Sequence, residues 1–224
     1  MSQTNENRRI FLKRVSIGAV AFPLLINCKN DTLAQTSNKD ILGLMRKNAD
    51  IPKDCSHWCG AANEAPDDVS WKAILADEKD EGEPLIISGT VFQLDGKTVA
   101  PDILIYAYHT NAKGFYGRGN GEHPHGKHHG WMLTDKQGRY EFRTIKPAPY
   151  PLRDTPAHIH YTLTGVSFKE YWIDDIWFEG DALITPEIKK KQLTGRGGFN
   201  SILKPEKGAD GIFRATRDIQ LWKG

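Results

Sequence analysis

From residue 85 onward, apolar and polar positions alternate in short runs separated by turn signals. Leu85 to Leu94 reads as a strand that ends at Asp95-Gly96, a pair suited to a tight reversal. Ile103 to Tyr108 sets Ile103, Ile105 and Ala107 on one face and Leu104, Tyr106 and Tyr108 on the other. Trp131 to Thr134 leads into Asp135-Lys136-Gln137-Gly138, and Tyr140 to Ile145 resumes the alternation. Ala157 to Thr164, Tyr171 to Phe178 and Gly211 to Trp222 complete the series. Short strands at this spacing, with no amphipathic helices between them, predict an all-β fold: an antiparallel β-sandwich with long irregular loops.

Two stretches break the pattern. Asn111 to Gly130 holds six glycines and no alternation, and a loop of that length in a compact domain is functional or disordered. Pro147 to Pro151 places three prolines in five residues, which forbids regular ladder pairing.

The N-terminal part follows different rules. Arg8, Arg9, Lys13 and Arg14 precede the apolar run Val15 to Ile26, the layout of a secretory signal. The arginine pair followed by Ile-Phe-Leu-Lys resembles a twin-arginine export signal, with Asn7 where Ser is usual. Residues 1–28 read as the export signal, and Leu25-Ile26-Asn27-Cys28 has the form of a lipobox, so cleavage before Cys28 is expected, leaving that Cys lipidated as the mature N-terminus. Cleavage after Ala34 to give a soluble product is the competing expectation. Either route places the protein outside the cytoplasm, in the periplasm, with or without a lipid anchor. Residues 29–83 read as a polar tether with a short helix from Asp40 to Lys47 and no recognisable interface, leaving 84–224 as the folded domain. Cys55 and Cys59 in an exported chain suggest a local disulfide; a Cys/His metal knuckle with His57, or two free thiols, are the alternatives.

Charge narrows the partners. The formal net charge of +2 owes its sign to the N-terminal cluster. Without that cluster the body is close to neutral and carries no basic stripe, which argues against a nucleic-acid partner.

Candidate chemistry begins at Ala157-His158-Ile159-His160. On a strand, His158 and His160 project together while Ile159 turns away, so the two imidazoles can meet one metal ion. Around them stand Asn111-Ala112-Lys113-Gly114-Phe115-Tyr116, Arg143-Thr144-Ile145-Lys146-Pro147, Pro149-Tyr150-Pro151, Pro156-Ala157-His158-Ile159-His160 and Phe178-Glu179-Gly180-Asp181. Over residues 84 to 183 this combination closely resembles the intradiol ring-cleavage dioxygenases of the protocatechuate 3,4-dioxygenase type.

The resemblance implies Fe(III) held by the tyrosinates of Tyr116 and Tyr150 and the imidazoles of His158 and His160. Phenolate is a hard, charged donor suited to ferric iron. It also implies a catechol-like substrate that chelates the metal, with Tyr150 released to act as base. O2 then opens the ring between the two oxygen-bearing carbons, giving a muconate-type dicarboxylate. Two positions depart from the family pattern: Thr155 stands where an Arg is common, and Asp175 where a Gln is usual. Both are candidate catalytic positions, and Arg153 and Arg196 are candidate replacements for the missing cation. The departures keep two other readings open, an iron protein that binds catecholates without cleaving them and a non-catalytic sandwich module. The tract His123-Pro124-His125-Gly126-Lys127-His128-His129 reads either as a solvated loop or as a rim of the pocket, and Trp177 either as pocket wall or as core.

Overall fold

The computed structural model describes residues 37–48, 61–117 and 123–223. The export signal, Cys28, the alternative cleavage position at Ala34, and Cys55 with Cys59 lie outside the described residues.

Two helices, α1 (Asn38–Asn48) and α2 (Ala61–Glu64), precede the strands. Then follow β1 (Lys72–Ile74), β2 (Pro84–Phe92), β3 (Leu104–His109), β4 (His129–Leu133), β5 (Arg139–Ile145), β6 (His158–Gly165), β7 (Phe168–Trp172) and β8 (Ile176–Phe178). The helix α3 (Pro186–Gln192) and four short strands, β9 (Ile202–Leu203), β10 (Glu206–Lys207), β11 (Phe213–Thr216) and β12 (Ile219–Gln220), complete the order. One sheet runs β1-β5-β2-β11-β10 with β12 also on β2; the other runs β4-β3-β6-β8-β9 with β7 also on β6. The central pairs β2–β5, β3–β4 and β3–β6 are antiparallel, as the alternation predicts.

Between the sheets lies the main core. Leu85, Ile87 and Val91 of β2 and Tyr140 and Phe142 of β5 face Ile105 and Ala107 of β3 and Ile159, Tyr161 and Leu163 of β6. The inward face of β3 is thus the Ile103–Ile105–Ala107 face.

Two expectations are corrected and one is refined. The tether ends earlier than residue 84, because β1 pairs in parallel with β5 and extends the first sheet. Residues of α1 and α2 pack on the second sheet: Ile41, Leu42, Met45, Ala62 and Ala65 form a second core with Leu104 and Leu133. Both helices are integral because their apolar side chains cover a part of the sheet's outer face that would otherwise meet water. The expected antiparallel sandwich stands, with parallel pairs added at its margins. The C-terminal run splits at Arg217 into β11 and β12, each parallel to β2. The expected strand from Tyr171 to Phe178 breaks into β7 and β8, with Asp174 and Asp175 in the gap.

Consequently both faces of β3 are covered, and all six of its residues are buried. The helices and Leu104 occupy one end of the outer face. Aromatic and imidazole side chains occupy the other.

Candidate metal centre

Register builds that end of the face. Tyr108 is paired with His160 of β6 and with His129 of β4, and Tyr106 with Trp131 and Thr162. Residues directly opposite in a ladder share a face, so one apron carries Tyr106, Tyr108, His129, Trp131 and His160. His158 pairs with Trp177 of β8, which is buried beside it on the same face. Trp177 belongs to none of the main-core side chains, so it is wall rather than inter-sheet core.

The two tyrosines arrive from loops. Asn111 Oδ1 accepts from the backbone N–H of Lys113 and Phe115, and Asn111 N–H donates to Phe115 O, closing a tight loop just before Tyr116. Ala148 N–H donates to Asn111 O, and Thr110 Oγ1 donates to Ala148 O, tying this loop to the proline-rich segment that carries Tyr150. Gly114, at φ +83°, lies where a Cβ would run into Pro149 O and stand 2.8 Å from Pro151 Cδ. Only a glycine lets the two loops approach so closely.

Four donor atoms converge as a result. Tyr116 Oη lies 2.6 Å from Tyr150 Oη, which is 3.2 Å from His158 Nε2 and 3.2 Å from His160 Nε2. The two Nε2 atoms are 3.0 Å apart. His158 Nδ1–H donates to Pro156 O at 2.6 Å and His160 Nδ1–H to Asp175 Oδ1 at 2.9 Å, since a carbonyl and a carboxylate only accept. In the neutral rings both Nε2 atoms therefore present lone pairs to each other. Tyr150 has one proton and cannot satisfy both.

That contradiction disappears if a cation sits among the four atoms, and the residues present fit such an ion. Separations of about 3 Å are those of neighbouring ligands on an ion bonded at about 2.1 Å. Burial, and next the neighbouring His160, push the His158 pKa down to about 4, so the ring is neutral at ordinary pH and free to ligate. Burial raises both phenols above the ordinary tyrosine value, with the Tyr150 hydrogen bond adding to the effect on Tyr116. Both keep their protons unless a cation supplies the compensating charge. Two phenols and two imidazoles, one of them oriented by a carboxylate, form a donor set of mixed hardness that fits a metal ion.

Asp175 therefore touches the centre through His160, from the break between β7 and β8. Thr155 is partly buried and takes no part in this hydrogen-bonded group. The guanidinium of Arg153 stands 5.7 Å from the centre of the Tyr150 ring, whereas that of Arg196 lies over Trp222 at 4.3 Å. Of the two candidate cations, Arg153 is the one at this end of the face.

The histidine tract is not a solvated loop. His125 and His128 are buried. His125 Nδ1 and Tyr106 Oη share a hydrogen bond of 2.7 Å, and the His125 ring stacks on Tyr108 at 3.7 Å. His123 Nε2 meets Glu64 Oε2 of α2 at 2.9 Å. Tyr108 and Trp172, each within 6 Å of the other and of His160, were not singled out from the sequence as site residues. The alternation of β3 carries that signal for Tyr108, which shares a face with Tyr106. Two open clefts of about 820 and 690 Å³ are lined by none of the four donors, so donor chemistry and not cleft size locates the site.

The fold is an all-β sandwich whose loops bring two phenols onto a strand's histidine pair. A family model described as Dioxygenase matches residues 61–196, and the chain belongs to the intradiol ring-cleavage dioxygenase family. It is 32% identical over 133 residues to the protocatechuate 3,4-dioxygenase beta chain of Burkholderia cepacia, covering 51% of this chain and 56% of that one. It is 33% identical over 122 residues to catechol 1,2-dioxygenase of Acinetobacter baylyi, covering 45% of this chain and 38% of the relative. The matched part of each relative is thus about half its length or less. Among solved structures, the dioxygenase domain of a carbohydrate-binding fusion from Streptomyces sp. SirexAA-E superposes with a TM-score of 0.53 at 18% identity. That similarity covers 79% of this chain and 99% of the domain.

Proposed function

We propose that this protein is a non-heme Fe(III) intradiol dioxygenase acting on a catechol-type aromatic. The observation that carries the reading is the pair of opposed Nε2 lone pairs with two phenol oxygens beside them, an arrangement a ferric ion would satisfy. Tyr116, Tyr150, His158 and His160 would hold the ion, and Asp175 would fix the ring of His160. When bound, ferric iron supplies Lewis acidity and a redox-active template for an aromatic diol. The chain's own residues do the rest. Tyr150 sits where its phenol oxygen can take a proton from a substrate hydroxyl, with the Arg153 cation nearby to favour negative charge on that oxygen. Tyr108 and Trp172 form an aromatic corner suited to a flat ring, and Trp177 stands opposite His158.

Overall the reaction joins one catechol and one O2. The carbon–carbon bond between the two hydroxylated carbons breaks and each carbon becomes a carboxyl carbon, so both oxygen atoms enter the product. The relatives named protocatechuate and catechol dioxygenases support this substrate class. Export directed by residues 1–28 belongs to the same proposal and would place the reaction in the periplasm. The test is an oxygen-electrode assay of the iron-loaded protein with catechol and protocatechuate. Equimolar O2 uptake and dicarboxylate formation support the reading. Tight catechol binding without O2 uptake would replace it with the catecholate-binding reading.

A further inference from the structure

The apron holds a third tyrosine that the four-donor set does not use. Tyr108 is the cross-strand partner of His160, and its ring centre lies 4.6 Å from that imidazole and 6.0 Å from the ring of Tyr116. The residue is only 5% exposed, yet among the described residues its hydroxyl has no hydrogen-bond partner. It is also absent from the polar atoms that are sealed off without a partner, so part of its small exposure is at the hydroxyl. A hydroxyl on a nearly buried ring with no protein partner calls for an explanation.

The ring is held on purpose-built supports. His125 lies flat on it, the planes only 6° apart, and His125 is itself fixed by Tyr106 Oη at Nδ1 and by its backbone N–H on His123 Nδ1. His123 is anchored in turn on Glu64. Trp172 meets the ring edge-on at 5.9 Å. A tyrosine hydroxyl carries one proton to donate. A rigid hydroxyl beside an imidazole of the four-donor centre, still reachable from solvent, lacks only the acceptor.

We infer that Tyr108 Oη is a substrate-orienting donor that hydrogen-bonds an oxygen of the aromatic diol bound at the four-donor centre. This rests on the ferric reading of that centre. His125 is its positioning residue, acting through the stacked ring.

The test is an anaerobic optical titration of the iron-loaded protein with 4-nitrocatechol, for the parent, Tyr108→Phe, His125→Ala and the double variant. Tyr108→Phe keeps the ring and removes only the donor. It is expected to leave iron per chain unchanged and to raise the Kd about tenfold, the effect of one hydrogen bond. His125→Ala is expected to raise the Kd in the parent background and to add little in the Tyr108→Phe background, because it acts through that hydroxyl. A merely structural histidine would weaken both backgrounds equally, and that result would overturn its positioning role. Tyr108→Phe binding within twofold of the parent would overturn the inference and leave the ferric reading intact. No spectral change in the parent on adding 4-nitrocatechol would overturn both.

Discussion

At the residue scale, the centre depends on which nitrogen of each histidine carries the proton. Pro156 O and Asp175 Oδ1 claim the two Nδ1–H groups and leave both Nε2 atoms as acceptors. A carboxylate on the remote nitrogen fixes the ring's orientation and raises its basicity as a ligand. Asp175→Ala should therefore weaken iron affinity roughly 10- to 100-fold, measured as iron retained against a graded series of chelators. Asp175→Asn keeps an amide oxygen to accept from Nδ1–H and should lose less. Of these residues, the four that converge were legible in the sequence because the His-x-His spacing and the flanking motifs are local. The role of Asp175 was not, because it depends on a gap between β7 and β8 within a stretch, Tyr171 to Phe178, that reads as one strand.

At the element scale, two irregular loops must be pressed together to bring Tyr116 and Tyr150 within 2.6 Å. Asn111 makes the first loop self-supporting, and Gly114 permits contact with the second at Pro149 and Pro151. Gly114→Ala combines an unfavourable positive φ with a collision against backbone. It should cost about 2 kcal/mol or more in stability and separate the tyrosines. Chemical denaturation and the iron content of the same preparation would measure both effects. Strand positions from β2 to β6 were predictable from alternation, since each strand has one face on the inter-sheet core. The ends were harder. β11 and β12 are parallel partners of β2, a pairing that no local pattern announces.

At the scale of the whole molecule, the outer face of the second sheet is divided between a structural cover and a chemical site. Helices α1 and α2 bury Leu42 and Met45 against Leu104 and Leu133. Beyond them Glu64 reaches His123, and the histidine tract continues to Tyr108 and His160. The polar composition of residues 29–83 concealed this cover, because the amphipathic part is one short helix whose apolar side chains are few. Leu42→Ala, at a fully buried position, should destabilise the fold by about 2–5 kcal/mol in urea unfolding, with little effect on the iron-bound spectrum. A loss of iron at unchanged stability would show that the helix belongs to the site instead.

The central claim is that Tyr116, Tyr150, His158 and His160 hold ferric iron as two phenolates and two neutral imidazoles. Its most direct test is the iron content and visible absorption of the purified protein after ferric reconstitution and removal of loose metal. One iron per chain with an intense tyrosinate-to-iron band, lost in Tyr116→Phe and shifted by catechol under argon, is the predicted result. A colourless protein that retains no iron would contradict the account.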